Sequence, residues 1–248
     1  VIHYYDMQVD GYVDLDTLME VMLSDNPNNQ LPMSNGKYVN VLPTKNIQMV
    51  IDKDSVLRNK VVPKSWENNI ADVMKWTYNN PYVTKAELSM LSIILNNNWE
   101  RPIYFANMLG SENFIGLDKY LVNEGLVYRL MPIEKAQPQD EISLVNTDTL
   151  YRNVKSKYVY GSISNLKHYD IDYRRFVQSY MFDQTLNVAL DTLIKENRIQ
   201  EAKEIALLAV NHMPKQIVDI KHVHSNAIVV DTLIKVKEME KGAVKNPY

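Results

Sequence analysis

Trp99-Glu100-Arg101-Pro102 places an indole beside a carboxylate and a guanidinium, just ahead of a proline that biases Arg101 toward extended backbone. Such a group can stack on a sugar or a peptide while Glu100 and Arg101 hydrogen-bond it. The same Trp can instead bury its ring where a helix meets a strand, with Arg101 paired to Glu124 or Asp118. That second role is the commoner one for a large aromatic. Asp14-Leu15-Asp16 and Asp170-Ile171-Asp172 spell the acidic pair with which many nucleotide-sugar transferases hold a divalent cation, because hard cations take oxygen ligands. Both pairs stand at helix starts, where acidic groups cap free N–H groups and complement the dipole, and that role accounts for them. His222 and His224 share a face of an extended segment, but no third ligand is spaced to complete a zinc or nickel site. Ser89, Ser92 and Ser111 belong to no nucleophile elbow or phosphate loop, and no HExxH occurs. The residues therefore assign no catalytic group, no metal and no cofactor.

The composition sets wider bounds. The chain has 248 residues, 46% of them hydrophobic and 23% charged, with a net charge of −3. That is enough apolar surface for a sizeable core without staples, and no basic stripe points to a nucleic-acid partner. Cysteine is absent, which suits a reducing cytosol and a periplasm equally. The apolar runs Met90–Leu95 and Ile205–Val210 are far shorter than the roughly 20 residues a membrane span needs. The chain starts at Val1 in mid-pattern, with neither an initiator Met nor a signal core, so a longer parent protein is expected.

The elements that would position these groups follow from periodicity. Leu15, Leu18, Met19 and Met22 share one face of a helix over Asp14–Ser24, capped by Asp14 or Asp16 and ended by Asn26-Pro27-Asn28-Asn29. Val39 and Val41, the turn Pro43–Asn46, and then Ile47, Met49 and Ile51 read as a β-hairpin. Trp66, Ile70, Val73, Met74 and Thr77 recur at helical spacing, and Thr84 with Glu87 makes a capping box for a helix through Leu95. Ile103–Ala106 is expected as a strand and Gly116–Asn123 as a short helix closed by Gly125. Leu126, Tyr128 and Leu130 alternate as a second strand near the first. Residues 134 to 147 are polar and turn-like, and Tyr158–Ile163 is a last strand or an extended linker. A domain boundary falls near Asn165–Asp172.

From Tyr173 the period turns helical. Ala189, Leu190, Leu193 and Ile194, a turn at Asn197-Arg198, then Ala202, Ala209 and Pro214 resemble one degenerate tetratricopeptide repeat, and a plain helical bundle is the alternative. Ser225–Lys241 supplies a further amphipathic helix, as if opening a following repeat.

NNNWERPIYFAN followed by GLDKYLVNEGLVYRLMPI, and preceded by VDLDTLMEVMLSD and LPTKNIQMVIDKDSVL, resembles the carboxy-terminal soluble region of a bacterial family of multi-spanning membrane proteins. That family, a domain of unknown function, is distantly related to protein O-mannosyltransferases of the lipid-linked, GT-C type. The resemblance implies that the catalytic acid and the lipid-linked sugar site lie in membrane spans outside these residues, so this chain alone would lack transferase activity. It also implies a location on the periplasmic face of the inner membrane, contact with the membrane only through those spans, and a glycan or polypeptide acceptor. Trp99, Glu100, Arg101, Tyr104, Asp118 and Tyr128 are signature positions and the candidate binding residues. The expected architecture is α+β: a mixed domain of short antiparallel strands and helices over residues 1–166, then an α-helical, tetratricopeptide-like domain over 167–248 that offers a surface to a protein partner. The competing reading is a scaffold of a cell-envelope complex that never touches a sugar.

Overall fold

The computed structural model describes residues 1–134, 144–161, 163, 172–173 and 176–212. The boundary near Asn165–Asp172, Asp170, Pro214, the His222/His224 pair and the Ser225–Lys241 helix fall wholly or largely outside them. The chain divides into two compact units. One comprises Val1–Phe105, Leu109–Leu121 and Arg129–Leu144, and the other Ala106–Met108, Val122–Tyr128 and Val145–Tyr248.

The first unit opens with strands β1 (Ile2–Tyr4) and β2 (Val13–Asp14) and helix α1 (Leu15–Leu23). The buried face of α1 is Leu15, Leu18, Met19 and Met22, as the spacing requires. Asp14 occupies the N-cap position, but its side chain accepts from Gln48 Nε2 at 3.2 Å rather than capping the helix. A missing cap costs about 1 kcal/mol, whereas each fully buried aliphatic side chain contributes about 1.5–3 kcal/mol. Packing therefore holds α1 without the cap.

Strands β3 (Gln30–Pro32), β4 (Tyr38–Leu42) and β5 (Asn46–Val50) follow. The expected β4–β5 hairpin does not form. β4 pairs antiparallel with β3 and parallel with β1, while β5 pairs parallel with β2. Pro43 has no N–H with which to continue a ladder between them, and buried Thr44 turns the chain away by accepting from Asn46 N at 3.2 Å. Period-2 alternation identifies strands but is blind to their partners. The sheets are consequently mixed rather than antiparallel throughout.

Helix α2 (Lys53–Arg58) is capped by Asp52, whose carboxylate accepts from Ser55 N at 3.1 Å. Residues 66 to 77 correct a second expectation. After a 3-10 segment at Lys64–Asn69, residues Val73–Thr77 form strand β6, antiparallel to β5. Met74 and Trp76 are buried while Lys75 and Thr77 are exposed. The helical stripe counted Val73 and Thr77 and passed over Trp76, whereas the strand buries Met74 and Trp76, and the β-branched and aromatic content of the segment favours the strand. Strand β7 (Tyr82–Val83) joins β1, completing the sheet order β3-β4-β1-β7.

Helix α3 (Lys85–Asn96) carries the expected capping box. Glu87 N donates to Thr84 Oγ1 at 3.2 Å, and Thr84 N donates to Glu87 Oε2 at 2.7 Å. Burial would raise the Glu87 carboxyl, but hydrogen bonds from Thr84, Asn80 and Tyr78 outweigh that and hold it below its ordinary value.

Strands β8 (Tyr104–Ala106), β9 (Leu121–Asn123), β10 (Val127–Leu130) and β11 (Leu144–Val145) each contribute residues near the division of the chain. The helix expected over Gly116–Asn123 is instead a turn at Asp118–Tyr120 leading into β9. Ile115 and Gly116 have φ of 49° and 84°, which no helix accommodates. Leu121, Val122 and Asn123 are all buried, leaving no solvent face for a surface helix.

In the second unit, α4 (Thr147–Arg152) runs on as a wider helical turn over Asn153–Lys157. A wide helix, α5 (Phe176–Asn187), leads into α6 (Val188–Lys195), and α7 (Ile199–His212) packs against α6. Asn197, with φ 58°, makes the turn between α6 and α7, and Arg198 N donates back to the Leu193 carbonyl at 2.8 Å. Arg198 then bonds Glu201 and reaches Asp148 at 2.8 Å. Ala202, Ala206 and Ala209 are buried against a core that includes Leu150, Val177, Phe182, Leu186, Leu190 and Leu193. The small residues let the two helix backbones approach. Ala202→Phe should overpack this seam and lower stability by ~1–3 kcal/mol; an unchanged melting temperature would remove the contact from the account.

Candidate functional site

The Trp99 corner is built by the end of α3. Asn97 closes the helix, and its carbonyl accepts from Glu100 N at 2.9 Å while its side-chain amide donates to the Arg101 carbonyl at 2.7 Å. Between these two bonds the chain reverses through Asn98 and Trp99, at φ of 47° and 59°. Asparagine tolerates this left-handed region, but tryptophan does so rarely. Trp99 is 8% exposed, so its ring anchors the corner and offers no stacking face.

Glu100 and Arg101 project into solvent. Tyr104, two residues beyond Pro102 on β8, is 46% exposed. The corner and the strand after it thus present a carboxylate, a guanidinium and a phenol within five consecutive residues, the turn held by one backbone bond and one from the Asn97 side chain. Asp118 stands apart in sequence, at the start of the turn that precedes β9. Tyr128 belongs to the other unit and is buried on β10, where burial raises its phenol above the ordinary range. Glu124, one of the anticipated partners of Arg101, is 2% exposed and accepts from Asn146 Nδ2 at 2.9 Å.

Reasoning from spacing missed a buried polar cluster around that glutamate. Asn153 Nδ2 donates to the Glu124 carbonyl at 2.9 Å, Gly125 N donates to Asn123 Oδ1 at 2.8 Å, and Asn107 Nδ2 donates to the Gly125 carbonyl at 3.2 Å. Leu126 N donates to the Tyr158 hydroxyl at 2.8 Å, and burial raises that phenol as well. Asparagines scattered between residues 107 and 153 carry no periodic signal that could have joined them. The cluster ties down the β9–β10 turn. The nearby crevice lined by Leu126, Tyr158, Tyr160, Met181, Thr185 and Leu186 is apolar and too narrow for a water molecule.

Asp14 and Asp16 do not converge on a common point. Asp14 faces Gln48, and Asp16 accepts from Thr17 N at 2.7 Å. No group of three or more His, Asp or Glu side chains stands in metal-binding geometry among the described residues.

Residues 1–149, which include the whole Trp99 corner, match TMEM260-associated domain 2. The chain belongs to this family. The TMEM260-associated domain is part of a membrane protein, in agreement with the resemblance at that level. Among the described residues no helix is long and apolar enough to cross a membrane. Helices α6 and α7 lie beyond the matched residues. No curated protein and no solved structure matches the chain.

Proposed function

We propose that this chain is a non-catalytic, extracytoplasmic domain of a membrane glycosyltransferase-like protein, carried on the periplasmic face of the inner membrane, and that it binds the acceptor, a glycan or a polypeptide. The relation to protein O-mannosyltransferases rests on the resemblance of the sequence, and the TMEM260-associated family supplies the membrane-protein context. The observation that carries the binding reading is the left-handed pair Asn98-Trp99. A tryptophan held there costs about 1–3 kcal/mol, and such strain persists mainly where a site needs one fixed geometry. Here it fixes the turn that carries exposed Glu100 and Arg101, with exposed Tyr104 three residues further on β8, a set that hydrogen-bonds hydroxyls and peptide groups alike. Trp99, buried, supports the corner rather than offering a stacking platform.

A titration of the isotope-labelled chain with mannosides and acceptor peptides, followed by NMR, tests this. Shifts centred on the Glu100, Arg101 and Tyr104 amides support acceptor binding, and no shift with any glycan or peptide leaves the scaffold reading ahead. One observation favours that second reading: Leu207 and Val210, one turn apart on α7, are 44% and 47% exposed, an apolar pair suited to a protein partner. The α6–α7 pair, with its buried alanines, is the tetratricopeptide-like element in this proposal.

A further inference from the structure

Strands β3 and β4 form a hairpin at the edge of the sheet β3-β4-β1-β7, and its tip is apolar on both faces. Consecutive strand residues point to opposite sides. Tyr38 and Val39 are 50% and 38% exposed, so neither side of β4 is covered there, and Met33, just past β3, is 48% exposed beside exposed Pro32. A flat protein surface covers one face of such a hairpin. A medium that is apolar all round covers both.

The base of the hairpin is polar. Gln30 Nε2 donates to Asn40 Oδ1 at 2.6 Å and to the Ser24 carbonyl at 2.9 Å, and Asn40 Nδ2 donates to the Met22 carbonyl at 2.7 Å, which ties the base to the end of α1. From this amide collar Leu31, Pro32 and Met33 carry the chain roughly 10 Å outward, at ~3.3 Å per residue, a depth that reaches the headgroup and acyl boundary of a bilayer. At the tip, Met33 N donates to the Lys37 carbonyl at 2.7 Å and Gly36 N to the Met33 carbonyl at 2.9 Å, so these donors would enter such a layer already paired. Because Met33 N faces β4, the outward positions of β3 are Gln30 and Pro32. Gln30 N donates to the Pro27 carbonyl and Pro32 has no N–H, so the edge offers another strand no free donor. Charge completes the pattern. No acidic residue stands between Asp25 and Asp52, in a chain that carries 30 of them, and Lys37 lies at the tip next to Tyr38. Lysine and tyrosine settle at bilayer interfaces, with stem or ring in the apolar layer and the polar end among headgroups.

We propose that the β3–β4 hairpin is a membrane-contact finger, whose tip from Met33 to Val39 enters the headgroup boundary of a bilayer bearing anionic lipid. The family, a domain of a membrane protein, brings a bilayer within reach. The contact is additional to the spans that the resemblance implies and does not depend on acceptor binding at the Trp99 corner.

Flotation of residues 1–248 with vesicles of phosphatidylcholine containing about one third phosphatidylglycerol tests the finger, together with the fluorescence of a Tyr38→Trp variant and circular dichroism to verify each fold. The unchanged chain should float with these vesicles and less with phosphatidylcholine alone, and the M33D/Y38D chain should bind about tenfold more weakly or worse. On vesicles the emission of the Tyr38→Trp variant should shift to the blue, and brominated lipid should quench it beyond the loss seen in the unchanged chain. Failure to float, flotation indifferent to the anionic lipid, or flotation untouched by M33D/Y38D would overturn the finger. Emission of the Tyr38→Trp variant that vesicles leave unchanged would overturn it too, and would give the apolar tip to a protein partner.

Discussion

Gly116→Ala should destabilise the first unit by about 4 kcal/mol or more, the largest single-methyl effect expected in this protein. Two costs add. The φ of 84° places the residue in left-handed backbone, where any side chain is strained. The added Cβ would stand 2.0 Å from the Thr77 carbonyl oxygen and 2.9 Å from its carbonyl carbon. Those atoms are backbone of β6, paired through Thr77 to Asn46 of β5, so they cannot rotate aside as a side chain would. Relief requires the Gly116–Tyr120 segment to lift, which breaks both hydrogen bonds between Tyr120 and Lys75. Urea denaturation of the variant beside the unchanged chain measures this, and a loss under about 1 kcal/mol would show that the close approach is not as described.

Gly125→Ala should cost the second unit about 3 kcal/mol. Its φ of 118° lies in territory used almost solely by glycine, and a Cβ would meet the Tyr158 hydroxyl at 1.9 Å. The obstacle is the tip of a ring rather than backbone, so the ring can tilt. Tilting sacrifices the 2.8 Å bond that Leu126 N donates to that hydroxyl, leaving a part-buried donor unpaired. Removing the hydroxyl with Tyr158→Phe should relieve the clash, so the double variant should be less destabilised than the sum of the two single changes. Strict additivity would separate Gly125 from Tyr158 and contradict the packing described.

These two glycines also show what the sequence could and could not convey. The buried faces of α1 and the capping box of α3 were legible because their signals are local: apolar spacing of 3.6, and Thr84 three residues before Glu87. Tyr128 and Leu130 were legible on β10 for the same reason at period 2. β6 was misread as helix because Ile70, Val73, Met74 and Thr77 fall at helical spacing, whereas the buried strand face is Met74 and Trp76, set by pairing with β5. The partner of β4 was illegible, since alternation is the same whichever strand lies beside it. Gly116 and Gly125 looked like helix boundaries; they serve as points of close approach to Thr77 and Tyr158, residues far away in sequence.

At the candidate site, spacing marked the Trp99 corner and the structure sorted its members. The indole is inside, and Glu100, Arg101 and Tyr104 are accessible. No pattern in the sequence announced that Tyr120 would serve the edge of a strand 45 residues earlier.

An antibody to this chain shows whether the domain is carried outside the cytoplasm by a membrane protein. Native cells would be fractionated, and intact spheroplasts treated with protease before immunoblotting. A membrane-borne extracytoplasmic domain gives a band well above 28.8 kDa in the membrane fraction that external protease removes. A soluble band near 28.8 kDa, or a membrane band untouched by external protease, would contradict it.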